Sequence, residues 1–166
     1  GCPDATGEIP TVARGWQCAL TVPRELSMRD GKLCQQPVHE IERMRGDCVC
    51  ATGGETVEEP GRLFDLVVSC EGAKMVELEI RKGVFVRYAD GMLTLDMGDE
   101  GYGRDQRSIE LSELRDLRVL SDTTMAEIFA NGGEAALTSR TYSPAVPAME
   151  LHAEGAVSMN FYRLVH

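Results

Sequence analysis

The side chains with the clearest potential for chemistry are carboxylates, and their densest cluster lies between Asp96 and Gln106. This stretch contains Asp96, Asp99, Glu100 and Asp105, and carboxylate oxygens are ligands that Ca²⁺ prefers. Their spacing does not match the helix–loop–helix calcium pattern, and the three glycines of the stretch favour a mobile loop. We therefore predict a solvated hairpin loop that holds no metal.

A second pair of carboxylates, Asp122 and Glu127, lies around the start of a predicted strand. Glu127 has two interpretations: it contacts a second domain or subunit, or it is a half-buried carboxylate bonded to backbone or to an arginine. We favour the second interpretation, because buried charges in folded proteins are normally paired.

Histidines and cysteines predict no metal site and no catalytic dyad. The histidines His39, His152 and His166 are scattered along the sequence. No Cys-x-x-Cys pair occurs, and the Cys48-Val49-Cys50 spacing matches no common zinc pattern. We predict reduced, mostly buried thiols, a cytoplasmic chain and no cofactor. The six cysteines are Cys2, Cys18, Cys34, Cys48, Cys50 and Cys70.

Length and charge limit the class of protein. A chain of 166 residues amounts to one domain, or to one domain plus a piece of another. It has 27 acidic and 17 basic residues, a net charge of −10 and no run of Lys or Arg, which argues against nucleic acid or an anionic membrane as a partner. No apolar stretch approaches the roughly 20 residues of a membrane-spanning helix.

A β-hairpin is predicted within residues 15–38. Arg24–Met28 and Lys32–Gln36 flank Asp30-Gly31, a dipeptide that accepts the positive φ angles of a tight turn. The hairpin therefore forms the first regular element of the chain.

A single convincing helix is predicted at Pro37–Arg45, because Val38, Ile41 and Met44 fall on one helical stripe. Pro37 suits the first turn of this helix, and Gly46 is expected to end it as a C-cap. Residues 48–61 are polar and rich in glycine, and they predict a connection into the next unit.

From Arg62 onward, apolar and polar residues alternate with period two almost throughout, which predicts β-strands. Asp90-Gly91 and Asn131-Gly132 are strong signals of hairpin turns. About ten short strands with turns every 8–12 residues are typical of an antiparallel sandwich. The predicted strands are 75–81, 84–88, 93–97, Ser108–Leu111, Leu117–Leu120, Met125–Ala130, Glu134–Arg140, Ala148–Ala153 and Val157–Val165.

Two stretches together resemble glycoside hydrolase family 32, the β-fructosidases. In residues 15–38, Gly-Trp is followed by Leu-Thr-Val-Pro-Arg-Glu-Leu, an Asp-Gly turn and Gln-x-Pro-Val, as at the end of the family's last propeller blade. In residues 117–140, a Leu-Arg, an Asp, a Glu five residues later, an aromatic residue, an Asn-Gly turn and a Ser-Arg resemble the family's C-terminal module. Residues 17–19 and 23–26 look most like bacterial sucrose or sucrose-6-phosphate hydrolases.

The resemblance implies an all-β fold in two parts. Residues 1–46 would be the last propeller hairpin and a short linker helix, and residues 47–166 an antiparallel, jelly-roll-like two-sheet β-sandwich. Most of the propeller would lie upstream of this segment. The parent would be a β-fructofuranosidase that hydrolyses sucrose, sucrose-6-phosphate or other terminal β-fructosides with retention. The expected partners are this missing propeller and a second copy in a homodimer.

The family's catalytic carboxylates have no counterpart in this sequence. They lie in Trp-x-Asn-Asp-Pro-x-Gly, in Arg-Asp-Pro and in Glu-Cys-Pro. Asp30, Asp105 and Asp116 each follow an arginine but lack the proline, and Gly1 stands before Cys2-Pro3 where the glutamate would be. We therefore assign no catalytic, substrate-binding or metal-binding residue and expect this chain alone to be inactive.

A carbohydrate-binding module is the alternative function, because β-sandwiches often hold sugars against aromatic rings. Aromatic residues make up only 5% of the chain, and these rings also have to fill a core or a domain interface. We therefore favour a scaffold that supports the propeller and contributes to oligomerisation. The aromatic candidates are Trp16, Tyr88, Tyr102, Tyr142 and Tyr162.

Overall fold

The computed structural model describes residues 9–165, which contain fourteen β-strands and four short 3-10 turns. The strands are β1 Arg24–Arg29, β2 Lys32–Pro37, β3 Arg45–Thr52, β4 Thr56–Glu58, β5 Phe64–Ser69, β6 Met75–Arg81, β7 Val84–Ala89, β8 Met92–Asp96, β9 Gln106–Glu110, β10 Asp116–Ser121, β11 Met125–Ala130, β12 Ala135–Arg140, β13 Ala148–Glu154 and β14 Ser158–Leu164. The 3-10 turns are Val12–Arg14, His39–Met44, Gly98–Gly101 and Asn131–Gly133.

The strands form one hairpin and two larger antiparallel sheets. Strands β1 and β2 make the hairpin; sheet I has the order β12-β11-β10-β5-β14-β3, and sheet II has the order β4-β13-β6-β7-β8-β9. One continuous core joins buried residues of both large sheets. The predicted all-β, two-sheet sandwich is therefore confirmed.

The core follows from the period-two alternation of the sequence. In β6, Val76, Leu78 and Ile80 are buried, while Glu77 and Glu79 between them are partly exposed. Strands β7 and β8 repeat the pattern, and the predicted Asp90-Gly91 turn joins them with Ala89 opposite Met92. Removing each such apolar side chain from water contributes about 1.5–3 kcal/mol to folding.

Strand β5 was not among the predicted strands, although it lies in the middle of sheet I between β10 and β14. Phe64, Asp65, Leu66 and Val68 are all buried, so both faces of the strand are covered. A strand buried on both faces loses the alternation that identifies a strand with one wet face.

The predicted connection at residues 48–61 is wrong, because it contains β3 and β4. Strand β3 pairs with β14, and β4 pairs with β13, so their hydrogen-bonding partners lie near the other end of the chain. Both strands are mostly exposed and lack a strong apolar pattern. Their pairing therefore depends on tertiary context that the local sequence does not display.

The predicted helix at Pro37–Arg45 is a 3-10 turn at His39–Met44 with no fully buried residue. The chain becomes extended at Arg45, and Gly46 lies inside β3, so Gly46 is not a C-cap. A Cβ on Gly46 would lie 3.2 Å from the carbonyl oxygen of Arg163, so the glycine permits close approach of two strands. The expected division between domains at residue 46 falls at the start of β3 and stays a prediction.

A buried arginine ties the end of β6 to the rim of sheet I. The Arg81 side chain has no exposed surface; it donates to Ser121 Oγ at 2.9 Å and to the backbone oxygen of Ser143 at 3.2 Å. It also donates to the backbone oxygens of Arg62 and Asp122. Burial lowers the pKa of Arg81 to about 10, with a smaller contribution from nearby Arg62. The side chain therefore remains charged at neutral pH.

We predict that Arg81→Ala destabilises the chain by more than about 3 kcal/mol, because it leaves a cavity and several buried oxygens without a donor. Arg87→Ala is the matched control. Arg87 lies in the adjacent strand with about a third of its side chain exposed, and surface ion pairs contribute about 0–1 kcal/mol. Urea unfolding followed by circular dichroism measures both variants, and equal losses would contradict the prediction.

Candidate functional site

The predicted hairpin is confirmed and has a two-residue turn. Arg29 pairs with Lys32, and Asp30 and Gly31 between them have φ angles of 50° and 75°. Positive φ at both central positions is the geometry of a type I′ turn, which matches the twist of the flanking strands.

The hairpin lies against the β11–β12 corner of sheet I. Arg29 and Gln36 both donate to the backbone oxygen of Gly132, at 2.8 and 2.6 Å. Gly133 has φ +89°, and a Cβ there would lie 2.2 Å from the backbone oxygen of Gln35. Only glycine fits this contact, so the corner is shaped to receive β2.

Glu127 binds the chain on both sides of Pro23. Its side chain is only 3% exposed; Oε1 accepts from the backbone nitrogen of Val22 at 2.8 Å, and Oε2 accepts from Arg24 Nη2 at 2.6 Å. Arg24 also donates to Thr138 Oγ1 at 2.7 Å and stacks over the Phe129 ring. Glu127 is thus bonded to backbone and to an arginine, as favoured from the sequence, but it is buried and not half-buried. Both partners lie within residues 1–46, which were predicted to be a separate part, so the contact also fits the interpretation of Glu127 as touching a second domain.

A second buried carboxylate, Asp65, fixes the linker that follows the hairpin. It has no exposed side-chain surface; it accepts from Arg118 Nε and Nη2 at 2.9 and 2.7 Å, and from Arg45 Nε at 2.8 Å. Glu42 lies 3.6 Å from both arginines, and Arg45 stacks over the Tyr162 ring at 4.4 Å. This cluster joins the 3-10 turn to sheet I.

These contacts cover the outer face of sheet I. Leu120, Met125 and Phe129 are buried but do not belong to the core between the sheets. Next to them is an open, mainly apolar groove of about 250 Å³. The groove is lined by Val22, Ile41, Met44, Leu63, Leu120, Met125, Glu127 and Leu164, among others. The junction between the hairpin, the linker and sheet I is therefore the candidate functional surface.

The other candidate residues lie elsewhere. Asp96 ends β8 and forms an ion pair with Arg87, while the backbone oxygen of Asp105 accepts from Met97 and Gly98. His39 and His152 are exposed on separate elements, and His166 lies outside the described residues. Within residues 9–165, no group of three or more His, Cys, Asp or Glu side chains is arranged to hold a metal ion.

The expectation of mostly buried thiols is wrong for the cysteines that the structure describes. Cys34 and Cys70 are buried, and burial raises the pKa of Cys70 to about 12. Cys18, Cys48 and Cys50 are exposed, the last two because β3 is an edge strand. Cys2 lies outside the described residues.

The aromatic side chains form packing contacts. Tyr88 is buried and donates to the backbone oxygen of Leu111 at 3.2 Å. Tyr102 and Tyr142 meet edge to face at 5.5 Å, while Trp16 is 39% exposed. Tyr88, Tyr102 and Tyr142 are therefore engaged in packing contacts, while Trp16 is partly exposed.

Comparison with known proteins agrees with this architecture. A family model described as "Glycosyl hydrolases family 32 C terminal" matches residues 79–164. The chain belongs to glycoside hydrolase family 32. This family 32 chain is 36% identical over 155 residues to the raffinose invertase of Escherichia coli, which covers 82% of the chain and 32% of the relative. It is 30% identical over 171 residues to a probable sucrose-6-phosphate hydrolase of Vibrio cholerae, which covers 98% of the chain and 31% of the relative.

Solved structures of the family share the fold. The family 32 chain superposes on a sucrose-6-phosphate hydrolase from Lactobacillus gasseri with a TM-score of 0.80 and 21% identity, covering 99% of this chain and 37% of that one. An exo-inulinase from Aspergillus awamori gives 0.74 and 19% identity, with 95% and 37% coverage. The chain thus spans about a third of the length of its curated relatives. Within residues 9–165, no helix has the length and apolar character to cross a membrane.

We predict that Glu127→Ala releases the hairpin from this family 32 sandwich, because Val22 loses an acceptor and Arg24 loses its buried counter-ion. Tryptic cleavage after Arg24 should accelerate at least about 10-fold, which corresponds to about 1.4 kcal/mol of lost docking free energy. Glu134→Ala is the control, since its ion pair with the hairpin involves the exposed Lys32, and surface ion pairs contribute little to stability. Unchanged cleavage of the Glu127 variant would show that the hairpin docks by other contacts.

Proposed function

We propose that the chain is the non-catalytic C-terminal part of a β-fructofuranosidase. In this proposal, residues 1–46 are the last hairpin of the catalytic propeller and its linker, and residues 47–166 are the sandwich that supports them. The parent enzyme hydrolyses sucrose, sucrose-6-phosphate or another terminal β-fructoside with retention, in the cytoplasm. The curated relatives named as an invertase and as sucrose-6-phosphate hydrolases support this substrate class.

The observation that carries the proposal is an uncovered apolar patch on a hairpin that is otherwise bound to the sandwich, with Arg24 on the same face as the patch by register. The chain around β1 and β2 is bound to the sandwich through Arg24, Gln36 and Gly133. Leu26, Met28 and Leu33 share the same hairpin face by register, and their exposures are 61%, 69% and 53%. A surface of this kind is typical of an interaction site.

The free edge of β1 supports the same interpretation. Among the described residues, β1 pairs only with β2, so its other edge offers unpaired backbone groups to a further strand. Leu20, which precedes this edge, is 92% exposed. The remaining strands of a propeller blade would satisfy the backbone groups and cover the apolar side chains at once. The sandwich then acts as a clamp that holds the closing hairpin of the blade.

The chemistry itself belongs to residues outside this chain. Retaining glycoside hydrolysis needs two carboxyl groups about 5–5.5 Å apart, one as nucleophile and the other as acid and then base. The two most deeply buried carboxylates here, Glu127 and Asp65, are each bound by arginines. Both carboxylates are therefore enclosed by ion pairs and are not open to a substrate. No catalytic, substrate-binding or metal-binding residue is assigned to the chain.

We predict that residues 1–166 alone do not hydrolyse sucrose above a no-protein control at any pH. The same chain, extended through the reading frame upstream of Gly1, should be an active β-fructofuranosidase. The upstream frame should encode the Asn-Asp-Pro, Arg-Asp-Pro and Glu-Cys-Pro motifs that supply the carboxylates. Activity of the short chain, or an upstream frame without these motifs, would overturn the proposal. Saturable binding of fructo-oligosaccharides to the short chain would favour the carbohydrate-binding alternative.

We also propose that the exposed hairpin face makes the chain a homodimer when the propeller is absent. Leu26→Asp/Met28→Asp should shift the dimer to monomer, because each charge would have to be desolvated at the interface. Met92→Asp is the matched control, since Met92 is a 37% exposed apolar residue on sheet II. Light scattering after size-exclusion chromatography gives the mass of each species, and a dimer that survives the double substitution would contradict this surface.

A further inference from the structure

An exposed pair of thiols lies on the edge strand β3, beside Tyr162, on which Arg45 of the Asp65 cluster stacks. Cys48 and Cys50 are two residues apart in the strand, so their side chains leave on the same face. Both residues are exposed, and their sulfur atoms are 3.5 Å apart. Among the described strands, β3 has a partner only in β14, so its other edge is open.

The strand beside this pair supplies a polar neighbour. Tyr162 lies opposite Cys48 in the register of β3 and β14, and Asn160 lies opposite Cys50. A hydrogen bond with Cys48 raises the pKa of Tyr162. A hydrogen bond between the two thiols raises the pKa of Cys50, and the charge of Cys48 raises it further.

The distance between the sulfurs distinguishes between a disulfide and an atom that bridges the two thiolates. A disulfide needs them at about 2.05 Å, which requires the strand to deform. Consider an atom that bridges the two sulfurs with bonds of about 2.3 Å, the length of a metal–thiolate bond. With the sulfurs 3.5 Å apart, the sulfur–atom–sulfur angle is about 100°. The unchanged geometry therefore suits a bent, pyramidal or tetrahedral centre and not a linear one.

The number of ligands narrows the choice further. Structural zinc takes four protein ligands, and the described residues bring no third His, Cys, Asp or Glu to this pair. A centre that completes its coordination with two sulfurs and one group of its own needs nothing more from the protein. Trivalent arsenic that carries one organic substituent meets this requirement.

We propose that Cys48 and Cys50 form a chelating dithiol site for monosubstituted trivalent arsenicals. In the binding step, the arsenic–oxygen bond of an organoarsenic oxide breaks and two arsenic–sulfur bonds form. The two thiol protons leave with the oxygen as one molecule of water, and no atom changes oxidation state. The step therefore needs no oxidant and no further residue.

Phenylarsine oxide is the probe that tests the site, with the reduced 166-residue chain held under inert gas. One equivalent should add one phenylarsenic group by intact mass spectrometry and remove two thiols from the count that reacts with Ellman's reagent. Cys48→Ser and Cys50→Ser should each weaken binding by at least about 100-fold, because a single thiol loses the effective concentration of the second. Thermal melting should show that both variants remain folded, since both positions are exposed.

Cys2→Ser/Cys18→Ser is the matched control, because it removes the other exposed thiol of the described chain together with Cys2. This variant should bind phenylarsine oxide as the unaltered chain does. The proposal is overturned if the control loses binding, if Cys48→Ser/Cys50→Ser retains it, or if the unaltered chain forms no one-to-one adduct.

Discussion

Two carboxylates on the outer face of sheet I, Glu127 and Asp65, are the constraint on which the rest of the junction depends. The outer face of a sandwich sheet is ordinarily wet, and a carboxylate there needs no partner. Here the face is covered, and a buried ion that lacks its counter-ion typically costs several kcal/mol. The segment that covers the sheet brings Arg24 to Glu127, while Arg45, where the linker enters β3, joins Arg118 of sheet I at Asp65. The position of this segment is a consequence of charge burial as much as of apolar packing.

The second half of the fold was predictable because its strands have one wet face. From β6 to β14, alternation located every strand within about two residues, and Asp90-Gly91 and Asn131-Gly132 located two of the connections between paired strands. Strand β5 was not predicted because it is buried on both faces. Strands β3 and β4 were not predicted because they are edge strands with little apolar pattern. The helical spacing of Val38, Ile41 and Met44 correctly located a helical element in the linker. That element is a six-residue 3-10 turn and not an α-helix.

The junction was predictable in kind and not in detail. A buried charge requires a partner, so the pairing of Glu127 with backbone or an arginine could be predicted from its position in an apolar strand. Its partner Arg24 is 103 residues away in sequence, and only the tertiary fold brings the two together. The sequence did not predict the burial of Asp65. A single acidic residue in an apolar run can face solvent as easily as it can face a buried arginine. Cys48 and Cys50 are exposed because they lie in the edge strand β3, which was not predicted. The prediction of buried thiols was based on the average burial of cysteine and was wrong for these two residues.

The place of β14 between β5 and β3 has a consequence for how the chain is made. Strand β14 lies between β5 and β3, and both of these strands leave the ribosome long before β14 does. At roughly 5–20 residues per second, about 5–20 s separate the synthesis of Thr52 from that of Ser158. During this interval β3 has no neighbour and the Phe64 ring lacks its contact with Phe161. Sheet I therefore closes only after β14 has been synthesised, so a chain that stops before β14 has an open seam between β5 and β3.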